Sequence, residues 1–596
     1  MSSFGLSIRT VDNQNLLSTA RAHDSSPVER PGPRALFGRS QADSLSVAMD
    51  PFLQDAPQAA NRFRADATLR NSLERILPPD VFAEASPLFD DMGERALGEL
   101  RALATHAEAH PPVHIPLDAW GRRVDRIDVD PAWLQLVELG KDAGLVAIPY
   151  EDAFGEHSRV VQFGVIDLWN PASATAGCPL SMTDAAVRVL LNEDPELAKE
   201  YVPRLTARAN AWTSGQWMTE KEGGSDVGRT GTVARDAGDG WWTLHGTKWF
   251  TSATTADISL ALARPEGAGD GSRALSLFLL ELRNPDGTWN GITVRRLKDK
   301  LGTKALPTAE LDLDGTAARA IGGIGRGVPK VAAMLNITRI WAAIGSLSAI
   351  GSGLMLARDY ANKREAFGRK LRDLPVHRRW IARIAAEYEA ANVLGYRAAQ
   401  LLGQIEHAAG DPDLARVVIP LTKMSIARRS VWATSNLIES FGGAGYVEDT
   451  GLPRILRDAH VNCIWEGTTS VMALDVLRAL HKPGVPDAFL ADVDAKARAY
   501  DHPLIAETAR RVTQAAEDLK PMLAEPAEEH ARRIAWGMAR TYQAALLCEA
   551  AGWALDKKGD ARTATAAALY ASEPLIDAEP PVGDDEMGAL AFGIAE

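Results

Sequence analysis

The chain has 596 residues, 46% of them apolar and 24% charged, the balance of an ordinary globular protein of three to four domains or one large multi-layer assembly. Its net charge of −13, from 65 Lys and Arg against 78 Asp and Glu, argues against a general affinity for nucleic acid or anionic membrane. No run approaches roughly 18 uninterrupted apolar residues, which excludes a spanning helix, and three widely separated cysteines (Cys178, Cys463 and Cys548) exclude a zinc ribbon or disulfide framework and suit a reducing, cytoplasmic compartment.

Residues 1–48 are rich in Ser, Arg, Pro and Asn and lack the apolar core of a secretory signal, while Asp12, Asp24, Glu29 and Asp43 count against an acid-poor transit peptide. A disordered extension is expected there, with Met49 as an alternative natural start. Residues 49–210 read as a helical domain broken at Pro78, Pro79, Pro111, Pro112 and Pro131. The apolar spacing predicts helices from Pro131 to Gly144 and from Ser181 to Leu191, the latter with an N-cap candidate at its start.

Across 211–325 the period changes to two. The runs WWTLHG (241–246), ISLALA (258–263), LSLFLL (275–280) and ELDLD (310–314), separated by turn signals such as Asp239-Gly240, predict a small antiparallel barrel or sandwich. The glycines at 322, 323, 325 and 327 do not fit GxGxxG and have no βαβ frame around them, so a hinge loop is expected rather than a dinucleotide fold. Residues 326–480 return to long amphipathic patterns, Val331 to Tyr360 and Val376 to Ala409, which suit an antiparallel bundle. A further helical segment with an acidic tail fills 481–596. The expected fold class is mainly α with a central β domain, in the order helical, β-barrel, helical, plus an extra C-terminal helical segment.

The most informative stretch is VNCIWEGTTS (461–470). It places one carboxylate, Glu466, after the apolar run Cys463-Ile464-Trp465, which is expected to keep water away. Burial disfavours the charged form of a carboxylate and moves it toward the range of a base working near neutrality. Alone, the pattern also fits a turn acid in water.

Four further motifs precede it in order: MTEKEGGSD (218–226), KWFTS (248–252), KREAFG (363–368) and FGGAGY (441–446). With IWEGT (464–468) they resemble the acyl-CoA dehydrogenase family, in particular its AidB-like, alkylation-response branch, over about residues 100–480. The resemblance implies FAD as cofactor and α,β-dehydrogenation of an acyl-CoA thioester. Glu466 would take the pro-R α-proton while a hydride leaves the β-carbon for flavin N5, and the Glu466 backbone N–H and a ribityl hydroxyl would bind the thioester carbonyl.

By the same resemblance Met218, Thr219, Gly224 and Ser225 line the isoalloxazine, with Thr219 as a donor, and Trp249, Phe250 and Thr251 set an indole against the ring. Barrel core for Trp249 and a plain turn at Gly223-Gly224 are the alternatives. Arg364, Phe367, Glu439, Gly442 and Gly443 match positions that hold the cofactor's pyrophosphate and adenine from another subunit; Gly442 equally fits a helix C-cap. Thr468 and Ser470 contact the flavin or cap the following helix. Ser225, Arg339 and Gly467 fall on the acyl-CoA side, and Arg339 equally fits a structural ion pair.

The family also implies a homotetramer and electron-transferring flavoprotein as acceptor. Three positions depart from its pattern: Lys221 replaces a proline, Asn336 an aspartate and Ala473 an arginine. The second class of function is a flavoprotein protecting alkylated DNA, a role tied to a basic C-terminal domain. Here residues 481–596 carry 12 Lys and Arg against 20 Asp and Glu, which argues against DNA, although Arg510, Arg511, Arg532, Arg533 and Arg540 leave room for a local basic stripe.

Overall fold

The computed structural model describes residues 55–579 and 582–593; the expected extension at 1–48 lies outside them. Short helices lead into a helix at Pro131–Asp142, where Asp130 accepts from the Ala132 N–H at 2.8 Å and the chain turns away at Gly144, φ 77°. Helix α1 (Gly177–Glu193) begins four residues before Ser181, whose hydroxyl donates to the Cys178 carbonyl instead of capping. Pro179 is tolerated because first-turn N–H groups have no partner inside the helix.

The region 49–210 is not wholly helical. Strands β1 (Val113–Leu117) and β2 (Arg123–Asp128) form a hairpin. Buried Asp125 fastens it to the barrel, accepting from Arg123 at 2.8 Å and from the Val294 N–H at 3.2 Å. Four charged residues in the six of RVDRID hide the strand period from an apolar scan.

The β domain comprises β3 (Ser214–Trp217), β4 (Val233–Gly238), β5 (Trp241–Ser252), β6 (Ile258–Pro265), β7 (Ser276–Glu281), β8 (Ile292–Leu297) and β9 (Thr308–Ala320). Pairings β6–β4, β4–β5, β5–β9, β9–β7 and β7–β6 close a ring, with β3 added to β6 and β8 to β9. Closure removes the open edges of a sheet this small. The expected all-antiparallel pattern is corrected at β6, which pairs parallel with both β3 and β4.

The bundle holds α2 (Ala332–Lys363), α3 (Pro375–Glu406), α4 (Pro412–Ser440), α5 (Leu452–Asn462) and α6 (Thr469–Leu480). Helix α2 is long and apolar enough to cross a bilayer, but 78% of its most apolar window is buried inside the fold. It is a core helix, apolar all round because it is enclosed all round. In the C-terminal segment, α7 (Ala531–Lys558) is largely buried. Ion pairs tie this segment back to the N-terminal helices, Arg75–Glu549 at 2.6 Å, and to α3 of the bundle, Arg562–Glu389 at 2.7 Å.

Candidate active site

Between α5 and α6 the chain makes a tight turn in which Glu466 has φ 58° and Gly467 φ 106°. A glutamate in the left-handed region is uncommon and costly, and such strain persists only where neighbours over-determine it. Two neighbours do so. The Thr338 hydroxyl on α2 donates to Glu466 Oε2 at 2.7 Å, and the Lys423 ammonium on α4 donates to the Gly467 carbonyl. Thr468 then caps α6, its hydroxyl oxygen accepting from the Val471 N–H at 3.4 Å.

The apolar run before Glu466 does not enclose it as expected. Ile464 is 63% exposed, and Glu466 is half-buried. A tight turn cannot send consecutive side chains to one side, so the shielding comes from α2 and α4 instead.

On the barrel side, the Trp249 backbone N–H donates to the Thr219 carbonyl at 3.0 Å, which joins the two motifs. The Trp249 ring is 41% exposed, with the Lys298 ammonium 3.5 Å from its centroid. Phe250 is half-buried, its ring centroid 6.2 Å from that of Trp249. Thr251 is fully buried, and its hydroxyl donates to the Ala309 carbonyl at 2.8 Å across the β5–β9 ladder. Met218 is half-buried, whereas Gly224 and Ser225 are exposed. A Cβ at Gly223 would fall 2.4 Å from the Asp226 carbonyl oxygen, so that turn requires glycine.

Sequence reasoning missed the pair that locks these motifs together. Lys248 and Glu220 are both buried and meet at 2.6 Å. Glu220 also accepts from the Gly231 N–H at 2.6 Å and the Thr232 hydroxyl at 2.5 Å. Burial alone would raise the Glu220 carboxyl, but Lys248 and these donors bring it below its ordinary value. Both letters sit inside the quoted motifs, and their opposite charges were the available signal.

Cys178 connects Glu466 with two other parts of the fold. From α1, Cys178 is pushed up to about 12 by burial, with Lys300 opposing and Glu466 adding to the effect. Lys300, beyond β8, is brought down to about 8 by burial, and donates to the Leu306 carbonyl at 2.8 Å and the Thr308 hydroxyl at 3.1 Å. Thr308 in turn meets Ser252, at the end of the KWFTS strand, at 3.1 Å. Cys178 is thus hydrogen-bonded to Ser252 at the end of β5 and within electrostatic reach of Glu466.

Arg339 is buried and paired with Asp475 at 2.9 Å, and Arg416 reaches the same carboxylate at 2.7 Å. Its geometry is that of the ion pair. Ala473 is fully buried in α6, where an arginine would have no water to reach. Ser470 is exposed and accepts from the Arg532 guanidinium of α7 at 3.4 Å, so the C-terminal segment touches the first turn of α6, just after the Glu466 turn.

Arg364, Phe367, Glu439, Gly442 and Gly443 gather elsewhere. Arg364 caps α2 and leads into a hairpin, β10 (Glu365–Ala366) with β11 (Arg369–Lys370), whose two-residue turn puts Phe367 at φ 52° and 92% exposed. Glu439 and Gly443 are exposed, and Gly442 sits at φ 61° just past the end of α4. Tyr360 joins the two segments, its ring 5.1 Å from that of Phe441. Thr338 and Arg364 stand at opposite ends of α2, about 39 Å apart at 1.5 Å per residue.

This arrangement agrees with the comparisons. The acyl-CoA dehydrogenase C-terminal and middle domains match residues 325–481 and 215–316, the AidB N-terminal domain matches 54–210, and a C-terminal domain like that of acyl-CoA dehydrogenase 11 matches 484–580. Acyl-CoA dehydrogenase family member 11 of Caenorhabditis elegans is 40% identical over 528 residues, 84% of this chain and 85% of that protein. Escherichia coli AidB is 31% identical, over 72% of this chain and 78% of its own. The crystal structure of C. elegans ACDH-11 in complex with C11-CoA superposes with a TM-score of 0.85 at 37% identity, covering 89% of this chain and 94% of that one. The chain belongs to the acyl-CoA dehydrogenase family, whose cofactor is FAD.

The residues present fit that cofactor. Gln216 on β3, two residues before Met218, has a buried Oε1 with no partner among the described residues, and the Trp465 indole N–H next to Glu466 is likewise buried without one. The Trp249 ring, the Thr219 loop and the open backbone at Gly224 supply an aromatic face and close approach.

Proposed function

We propose that this chain dehydrogenates an acyl-CoA thioester at the α,β bond, with Glu466 as the base. The observation that carries the reading is the Glu466 carboxylate, held by Thr338 in a strained turn, with Cys178 in electrostatic reach of it and hydrogen-bonded to Ser252 at the end of the Trp249 strand. Bound FAD supplies the acceptor for the hydride that leaves the β-carbon. Glu466 takes the α-proton, and the electron pair of that C–H bond becomes the new double bond. A positioned base of this kind contributes on the order of 10²–10⁴-fold. Thr338 steadies the carboxylate, while Trp249, Thr219 and Met218 orient the ring plane. Anaerobic mixing with a panel of acyl-CoAs, C11-CoA included, is expected to bleach the yellow protein; a panel that bleaches nothing removes the dehydrogenase reading.

Thr338→Val keeps the side-chain shape but removes the donor. The loss of one hydrogen bond to a charged group predicts roughly tenfold slower flavin reduction with unchanged FAD content, read by stopped flow.

The separation of Thr338 from the Arg364 cluster supports a homo-oligomer, a tetramer by family resemblance, in which that cluster holds the dinucleotide end of a cofactor bound mainly by a second copy. We also propose electron-transferring flavoprotein as acceptor, since the electrons taken from each substrate have to leave the protein, and a cytoplasmic location. Ser225 and Gly467 stay on the acyl-CoA side of this reading. The DNA-protecting alternative draws no support from the stripe of arginines. Arg510 and Arg511 share Glu507 at 2.8 Å each, Arg540 meets Glu573 at 3.5 Å, Arg533 pairs with Glu579 and Arg532 reaches Ser470. The protein is expected to pass a DNA column unretained even at low salt; salt-dependent retention would restore that alternative.

A further inference from the structure

Lys423 lies inside the bundle on α4, 1% exposed, and takes part in none of the family motifs quoted above. Its ammonium donates to the carbonyl of Gly467, the residue after the base. A buried lysine with one carbonyl partner is a poor structural choice. Burial drives it down to about 8, with Glu466 the first of the groups opposing. The sign of the linkage follows. Between about 8 and the ordinary lysine value the unfolded chain binds the extra proton, so stability rises with pH across that window and the buried charge is a cost to the fold at neutrality. A methionine of similar length would pack the same space without that cost.

What the charge does is set by what it faces. The titratable groups around it are Glu466 on the turn, Cys463 at the end of α5 and Arg339 on α2. Arg339 is already paired with Asp475 and the Cys463 thiol donates to the Ala427 carbonyl at 3.2 Å, which leaves Glu466 as the carboxylate Lys423 balances. The buried Cys178 is also within electrostatic reach of Glu466, and of Lys300.

We propose that Lys423 is a positioning residue of the dehydrogenation, its ammonium pinning the left-handed Glu466–Gly467 turn and setting a positive charge near the Glu466 carboxylate. This rests on Glu466 being the base. Thr338 fixes the carboxylate end of that residue and Lys423 fixes its backbone end, so the two contacts over-determine a conformation that glutamate does not choose by itself. Above about pH 8 the lysine itself is neutral and the device is lost.

The test is the pH dependence of flavin reduction in Lys423→Met and Lys423→Arg, compared with Glu466→Gln. Lys423→Met is expected to yield a yellow protein at least as heat-stable as the parent. Its kcat should be roughly 10- to 100-fold lower, the worth of one hydrogen bond to a charged group, with KM for the acyl-CoA little moved. The alkaline limb near pH 8 should vanish in Lys423→Met and move upward in Lys423→Arg, because a guanidinium stays charged. In the Glu466→Gln background, Lys423→Met should add no further loss. Wild-type kcat with the alkaline limb still near 8 in the lysine variants overturns the inference and assigns that limb to Lys300. Should Lys423→Met not fold, the limb in Lys423→Arg decides alone. A Glu466→Gln variant that still turns over defeats the base reading instead, whatever the lysine variants do.

Discussion

Glu466→Gln is expected to give a folded yellow protein whose flavin no acyl-CoA bleaches at a measurable rate. The substitution keeps the length and shape of the side chain, so the Thr338 contact at 2.7 Å and the Lys423 anchor on Gly467 survive. What disappears is the capacity to accept a proton. The α-proton of a thioester is held far more tightly than that of a carboxylic acid, and a positioned base is worth on the order of 10²–10⁴-fold. Stopped-flow absorbance of the oxidised flavin measures it directly. Reduction at the parent rate would mean that another group takes the proton, and Cys178 and Lys300 would be the next to replace.

The second large effect concerns folding. Lys248→Met is expected to lose about 3–5 kcal/mol of stability, because it strands the Glu220 carboxylate in the barrel interior. Lys248 is fully buried, and besides Glu220 at 2.6 Å it donates to the Leu262 carbonyl at 2.8 Å, so its removal leaves two buried acceptors short of a donor. The cofactor should leave with the stability, since Glu220 lies between Thr219 and the glycines of the same loop. Urea denaturation followed by tryptophan fluorescence, with flavin content alongside, reads both. The double variant Glu220→Gln with Lys248→Met should recover much of the loss, because two neutral side chains carry no uncompensated charge. Recovery of stability without recovery of colour would separate the fold from the cofactor. An undiminished denaturation midpoint in Lys248→Met would show the pair to be dispensable.

The fold was legible because its elements are punctuated by chemistry that acts locally. Prolines and glycines mark helix ends at Pro131 and Gly442, and period-two runs mark β5, β6, β7 and β9. The β1–β2 hairpin was not legible, since RVDRID buries only one side chain and shows no apolar rhythm. Nor were the parallel pairings of β6, which depend on how the barrel closes and not on any strand's own sequence. At the site, Glu466 stood out by its setting, and Trp249 and Thr219 were named through family resemblance. Thr338 and Lys423 did not stand out. Each is one polar residue on a long buried helix, and periodicity says which residues share a face without saying what that face meets. The same limit explains Ile464, an isoleucine that the turn directs outward.

Helix α2 carries the Thr338 support for a chain's own base at one end and the exposed Arg364 fork at the other. On the oligomer proposed above, those two ends serve different cofactors. A chain with a dead base and a chain with a broken fork therefore bear complementary lesions, and when they co-assemble some sites draw an intact half from each. Two alleles, each inactive alone, would then support partial activity together, a genetic signature written into the length of one helix.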